Sequence, residues 1–287
     1  RGKQAVTDEN GHITSCGDTV LGADDFAGVS AILEGAASLL ESGATHPTLE
    51  LLFTTGEEHF CVGAKAFDAQ RLQSKTAYVM DLSGPVGDCA VAAPTLITFS
   101  AEVVGKAAHA GFAPEDGVHA IQVAAAAVAH LPSGRWGDVT VNVGTISGGR
   151  ATNIVPDSCT VTGEIRALCH QDALDRLNEI HSEFVEQAQA VDAKLNFNHT
   201  IHITGYRVDT DAPVAQRFRR ACAAVGVAPR FTDTYGGSDC NILSAHGIQG
   251  LVVATAMNNC HAVNEYTTVE ELCKAARLAQ ALMEKQD

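Results

Sequence analysis

Four clusters of residues in this chain have the chemistry to act on a substrate. Asp24 and Asp25 sit in "LGADDFAG", Glu57 and Glu58 in "FTTGEEHF", Asp81 closes "AYVMD", and His261 follows "VVATAMNNC". Two of them place like charges side by side next to glycine. Solvated turns explain such pairs, because Asp and Gly favour turns, and an Asp ahead of a helix also serves as an N-cap. A divalent cation explains them equally, since it removes the repulsion between neighbouring carboxylates. Carboxylates with imidazole and no thiolate cluster suit zinc, manganese or cobalt. If the backbone at 57–58 is extended, successive side chains point opposite ways, and one Glu can ligate while the other acts as a general base. Spacing alone leaves both readings open.

The elements around these residues alternate strand and helix. Val29, Ile32, Leu33, Ala36, Leu39 and Leu40 share one face of a helix over 28–43, with Gly43 as its stop. A β-rich run at 48–55, a short helix at 64–72 and a buried strand at 76–82 follow, which predicts βαβ units and a largely parallel sheet. From about 95 the pattern becomes strand 96–105, helix 119–131, strands 138–146 and 157–167, helix 173–191 and strand 194–203. That order is the split βαβ, or ferredoxin-like, arrangement. A helix at 212–225, a strand at 250–256 and a helix from 268 to about 284 then restore the first style. The expectation is an α/β catalytic domain, 1–94 and 207–287, with an α+β domain, 95–206, inserted into it. In a parallel sheet the working residues lie at the carboxyl ends of strands, where all four clusters are expected.

Composition narrows the class of function. A net charge of −15 argues against nucleic-acid and anionic-membrane partners, which need basic patches. The nine cysteines are odd in number and contain no C-x-x-C pair, which suits reduced thiols in a cytoplasmic chain. No apolar run approaches the ~20 residues of a membrane span. Nucleotide chemistry is disfavoured because no G-x-G-x-x-G or P-loop follows a strand.

In order along the chain, "LGADDFAGVSAIL", "LLFTTGEEHFCVGAKAFD", "AYVMDLSGPVG", "GKAAHAGFAPEDGVHAI", "NVGTISGGRATNIVPDSCTVTGEIR", "GGSDCNIL" and "CHAVNEY" resemble the blocks of the co-catalytic zinc exopeptidase and amidohydrolase family. That family includes peptidase T, carboxypeptidase G and the aminoacylases, and the likeness is strongest to the peptidase T-like tripeptidases. The resemblance implies two divalent metals, zinc first, with cobalt or manganese as alternatives. Asp24 resembles the carboxylate bridging the metals, Glu58 and His261 the ligands of one, and Asp81 a ligand of the other. Glu57 resembles the general base, and Asp25 a residue that orients its neighbours. In the inserted domain, expected to be a lid and a homodimer surface, His109 resembles an oxyanion donor. Asn153 and Arg166 resemble residues holding the substrate, and Gly237 and Ser238 a glycine loop lining the cleft.

The implied activity is hydrolysis of an amide bond at a peptide terminus. The alternatives are an N-acyl-amino-acid deacylase and a catalytically impaired binding relative. The family's early H-x-D element has no counterpart upstream of Asp24: His12 lacks a following Asp, and His170-Gln171-Asp172 begins a helix, where capping explains it. The expectation is therefore that the N-terminal part of the catalytic domain is missing, and that a second metal binds poorly.

Overall fold

A computed structural model describes residues 4–285. The chain divides into two compact units, Arg1–Ala93 with Arg207–Asp287, and Pro94–Tyr206. No helix among the described residues is long and apolar enough to cross a membrane, and the cysteines are free thiols.

The first unit opens with the antiparallel strands β1 (Ala5–Thr7) and β2 (His12–Ser15), followed by helix α1 (Ala23–Ser42). The short helix α2 (Val62–Ala66) and the strands β3 (Thr76–Ser83) and β4 (Asp88–Ala93) follow. The run at 48–55, expected to be a strand, forms none. A strand needs a ladder partner, and here the run is held by scattered bonds instead: Gln73 and Ser74 donate their N–H groups to the Glu50 carboxylate, and the Gly63 N–H donates to the Thr55 carbonyl. Leu51 and Phe53 are accordingly about half exposed.

The inserted unit contains β5 (Thr95–Val104), α3 (Ala120–His130), β6 (Gly134–Trp136), β7 (Val139–Gly148), β8 (Ser158–Ala167), α4 (His170–Gln189) and β9 (Lys194–Ile203). Its antiparallel sheet runs β6-β7-β8-β5-β9, so the last strand pairs with the first. Alternation on β5 buries Ile97, Phe99, Ala101 and Val103 on one face, as a half-covered sheet requires. Against that face pack Leu177, Ile180 and Phe184 of α4, spaced at the helical period. Burying each of these large side chains contributes roughly 1.5–3 kcal/mol. The split βαβ order expected from sequence is present, with β6 added. His170-Gln171-Asp172 forms the first turn of α4, but the N-cap is Cys169 and no side chain caps it. His170 instead bonds Thr95 through Nδ1, 3.1 Å away.

The chain then adds β10 (Tyr206–Arg207), α5 (Pro213–Ala224), β11 (Arg230–Asp233), α6 (Asp239–Ala245), β12 (Gln249–Met257), β13 (Tyr266–Thr268) and α7 (Val269–Met283). The sheet order is β10-β4-β12-β3, with β11 on β4. β12 pairs in parallel with β3, and β11 with β4, whereas β12 and β4 are antiparallel. Two of these three pairings are parallel, as expected, and the β12–β4 pairing adds one antiparallel step to the sheet. β12 is buried along nearly its whole length, which explains its unbroken apolar run. β13 pairs with β2 to make a separate small sheet.

Helix α1 buries a different face from the one its large apolar residues suggest. Ala27, Ala31, Gly35 and Leu39 point inward, while Leu33 and Leu40 are 54% and 72% exposed. Close packing is the reason: a Cβ at Gly35 would lie 2.8 Å from the backbone nitrogen of Gln280 on α7. The same economy operates at the other end of α1. A Cβ at Gly28 would lie 2.1 Å from the Met80 carbonyl, the residue before Asp81 on β3. Gly28 thus lets the start of α1 touch the strand that carries Asp81. Gly28→Ala is expected to lower stability by about 1–3 kcal/mol despite alanine's better helix propensity. Urea unfolding checks this, and an unchanged midpoint would mean that helix and strand are not in this contact.

Candidate active site

Asp24 and Asp25 begin α1 but are not helical. Gly22 adopts the left-handed conformation (φ 84°), Asp24 has ψ 102°, and the peptide between the two aspartates is cis. The Asp25 carboxylate accepts a hydrogen bond from the Gly28 N–H at 3.0 Å, the three-residue reach of an N-cap. Capping is thus done by Asp25, and the Asp24 carboxylate is turned to His261. Glu57 and Glu58 lie in a single 3-10 turn, Glu57–His59, and not in extended backbone. Their side chains diverge by about a third of a turn, from helical geometry and not from strand alternation. Left-handed residues bracket this turn: Gly56 before it, Phe60 and Cys61 after it.

His261, also left-handed, lies between two carboxylates. Its Nε2 is 3.0 Å from Asp24 Oδ2 and 3.1 Å from Glu58 Oε1. One ligand atom from each of Asp24, Glu58 and His261 falls within 4.8 Å of the others. Three segments far apart in sequence therefore converge on a space the size of a metal ion.

The carboxylates behind this trio repel one another. Burial, then the charges of Asp25, Glu57, Asp24 and Asp239, pushes Asp81 up to about 9. Burial pushes Asp25 up to about 7 against the pull of the Gly28 N–H, and Asp24 and Glu57 add to the rise. Glu57 is likewise pushed up to about 7, by burial first and then by Glu58 and Asp239, opposed by a hydrogen bond from Cys61. The same surroundings push the buried Cys61 thiol up, through burial and the charges of Glu57 and Asp239. Its Sγ is 3.7 Å from Glu57 Oε1.

Two carboxylates that sequence reasoning passed over belong here. Asp239 accepts a hydrogen bond from the Thr54 hydroxyl, and its other oxygen is buried with no hydrogen-bond partner. It completes the "GGSD" loop, but an Asp in the first turn of a helix reads as ordinary dipole chemistry. Glu265 is 1% exposed and accepts hydrogen bonds from the N–H groups of Gly22 at 2.6 Å and Asp24 at 2.9 Å. Only its place four residues after His261 hinted at it. Ser238 is buried and caps α6, accepting from the Cys240 N–H, while its own N–H donates to the Asn241 side chain. Gly237 is partly exposed beside it.

The inserted unit holds the other three expected residues. His109 and Asn153 lie together, since Ala110 N–H donates to the Asn153 carbonyl at 3.0 Å and His109 bridges to Ile154. His109 Nδ1 accepts from the N–H groups of Gly111 and Phe112, both at 3.1 Å, and the ring lies 4.4 Å from that of Phe112. Backbone N–H groups only donate, so the neutral ring carries its proton on Nε2, a fixed outward donor. Asn153 is exposed. Arg166 on β8 is paired with Glu164, Nε to Oε1 at 2.9 Å.

Known proteins share this architecture. Residues 6–93 match Peptidase family M28, and residues 91–192 match the Peptidase dimerisation domain of M20 peptidases. The protein YqjE of Bacillus subtilis, itself uncharacterized, is 34% identical over 278 residues, 96% of this chain and 75% of the relative. The aminopeptidase PepT of Bacillus cereus is 36% identical and superposes with a TM-score of 0.93 over 99% of this chain and 76% of its own. A Staphylococcus aureus tripeptidase is 29% identical, with a TM-score of 0.94 over 98% and 75% of the two chains. On this sequence likeness, and on the match of fold over nearly its whole length, the chain belongs to the peptidase T-like family of M20 and M28 peptidases, hydrolases that act on peptide bonds.

Proposed function

We propose that this chain is a metal-dependent exopeptidase that removes the N-terminal residue of short peptides, tripeptides above all. One observation carries the reading: Asp24, Glu58 and His261 converge within 4.8 Å beside Glu57. The donor chemistry fits a divalent cation. Oxygen and imidazole donors suit zinc, cobalt or manganese. Six carboxylates crowd a single imidazole, Asp24, Asp25, Glu57, Glu58, Asp81 and Asp239, and Asp81 is pushed up to about 9 in part by the charges of four of the others. A doubly charged ion relieves that repulsion. Asp24, Glu58 and His261 would hold one cation, and Asp81 would offer a donor to a second.

A cation held there supplies the Lewis acidity that lowers the pKa of water and polarises the scissile carbonyl. Glu57, turned away from Glu58 by the 3-10 turn, takes the proton of the attacking water on its carboxylate. It then returns that proton to the departing amine nitrogen as the C–N bond breaks. Asp25 keeps its cap on Gly28 and thereby fixes the backbone that aims Asp24. His109 contributes its Nε2–H as a donor to the developing oxyanion, and Asn153 and Arg166 bind the substrate's polar groups. The aminopeptidase and tripeptidase among the similar structures support the peptide over the N-acyl amino acid as substrate. The dimerisation-domain match supports a homodimer through the inserted unit.

Glu57→Gln is expected to keep its bound metal and lose hydrolysis of a tripeptide panel by about 100- to 10,000-fold. Near-normal turnover would remove Glu57 from the base role, and turnover of N-acyl amino acids alone would move the wild type to the deacylases. His109→Ala is expected to lower kcat about 100- to 1,000-fold with metal content unchanged, as measured by steady-state kinetics and elemental analysis. The raised values of Asp81, Asp25 and Glu57 mean that the folded metal-free chain keeps protons the unfolded chain has released. These three groups thus contribute stability that is fully present below the ordinary carboxylate range and is lost as pH rises through about 7 to 9. The melting temperature of the metal-free chain is expected to drop between about pH 5 and pH 8, and saturating zinc to flatten that slope. A metal-free profile that rises over this range would contradict the mutual repulsion.

A further inference from the structure

The geometry points to Glu265 as a positioning residue that clamps the Asp24 loop to the His261 loop and so presets the cation site. The inference rests on the reading of Asp24 and His261 as ligands, but its evidence is separate from theirs. Glu265 is 1% exposed, and a carboxyl group so buried needs partners. Both of its oxygens are used: Oε2 accepts from the Gly22 N–H at 2.6 Å and Oε1 from the Asp24 N–H at 2.9 Å. It does not contribute to the trio of ligand atoms.

Those two N–H groups have no helical partner, because the backbone at Asp24 and Asp25 departs from the helix that starts beside it. A single carboxylate thus satisfies both donors of a loop that regular structure cannot satisfy. The other end of the clamp is equally fixed. Glu265 N–H donates to the Ala262 carbonyl, Ala262 N–H to that of Asn259, and Asn258 and Tyr266 exchange both backbone bonds. His261 lies inside this closed loop. The side chains flanking the clamped amides complete the join, since Leu21 and Ala23 cluster with Cys260 and Met257. Ligating side chains held by outer partners bind metal more tightly than free ones, and loss of such a partner typically costs 10- to 100-fold in affinity.

The test is zinc affinity of the metal-free 287-residue chain, read by competition with a chromophoric chelator, for wild type and Glu265→Gln. Gln keeps the shape but turns one acceptor into a donor that faces an N–H. The expected result is zinc binding about 10- to 100-fold weaker, beyond any change in the melting temperature of the metal-free chain. A lower melting temperature with unchanged zinc affinity would assign Glu265 to the fold alone and overturn the clamp. If wild type takes up no zinc, the ligand reading fails and the clamp falls with it, an outcome visible without the variant. Should Glu265→Gln not fold, hydrogen exchange in the wild type decides. Slow exchange of the Gly22 and Asp24 amides in the metal-free chain supports the clamp, and fast exchange overturns it.

Discussion

The close approach of α1 to β3 at Gly28 is the constraint from which the site follows. Without a side chain there, the start of the helix lies against the Met80 carbonyl, and Asp24 and Asp25 come beside Asp81. Apolar packing alone would not choose this arrangement, because burying neighbouring carboxylates is costly. Asp81 and Asp25 carry that cost as raised proton affinities, each due to burial first and like charge second. The fold tolerates it because hydrogen bonds elsewhere fix the backbone: Asp25 on Gly28, and Glu265 on Gly22 and Asp24.

The inserted unit obeys a simpler logic. Its sheet is antiparallel, one face is packed by two helices, and its core alternates residue by residue. Of its candidate residues, His109 and Asn153 lie in loops and Arg166 on β8. The loops of His109 and Asn153 are joined by the Ala110 N–H, which donates to the Asn153 carbonyl, and two backbone donors hold His109 Nδ1 as an acceptor. Rigid orientation of a single N–H is what an oxyanion donor requires.

Legibility in the sequence followed the length scale of the interactions. The inserted unit was readable nearly element by element, because periods of 2 and 3.6 residues are local signals. The convergence of Asp24, Glu58 and His261 was proposed from ordered blocks and emerges in the structure as three atoms within 4.8 Å. Three of the features that differ do so for a non-local reason. The run at 48–55 has β composition but no ladder partner among the described residues. The inward face of α1 is set by the backbone of α7 against Gly35, so small residues displace the leucines that periodicity favoured. Asp239 and Glu265 were passed over because their partners are Thr54, 185 residues away, and Gly22 and Asp24, more than 240 away.

The backbone itself marks the site. Among the described residues six non-glycine residues have positive φ, and five of them, Phe60, Cys61, Ala256, Asn259 and His261, fall in the segments that carry Glu57, Glu58 and His261. Each costs about 1–2 kcal/mol relative to ordinary backbone. Regular structure would avoid that cost, so the surrounding bonds must over-determine it. They do: Cys61 N–H donates to the Glu57 carbonyl at 2.8 Å, Gly63 N–H to that of Thr55 at 2.9 Å, and Asn258 pairs twice with Tyr266. A helix or a strand would have spread these carboxylates and the imidazole along one axis, at intervals its own period dictates. Bending the chain at left-handed residues breaks that period and lets three unrelated segments point at one spot. The left-handed residues at 60–61 and 256–261 thus flank the like charge concentrated between them, and the bonds around them hold both in place.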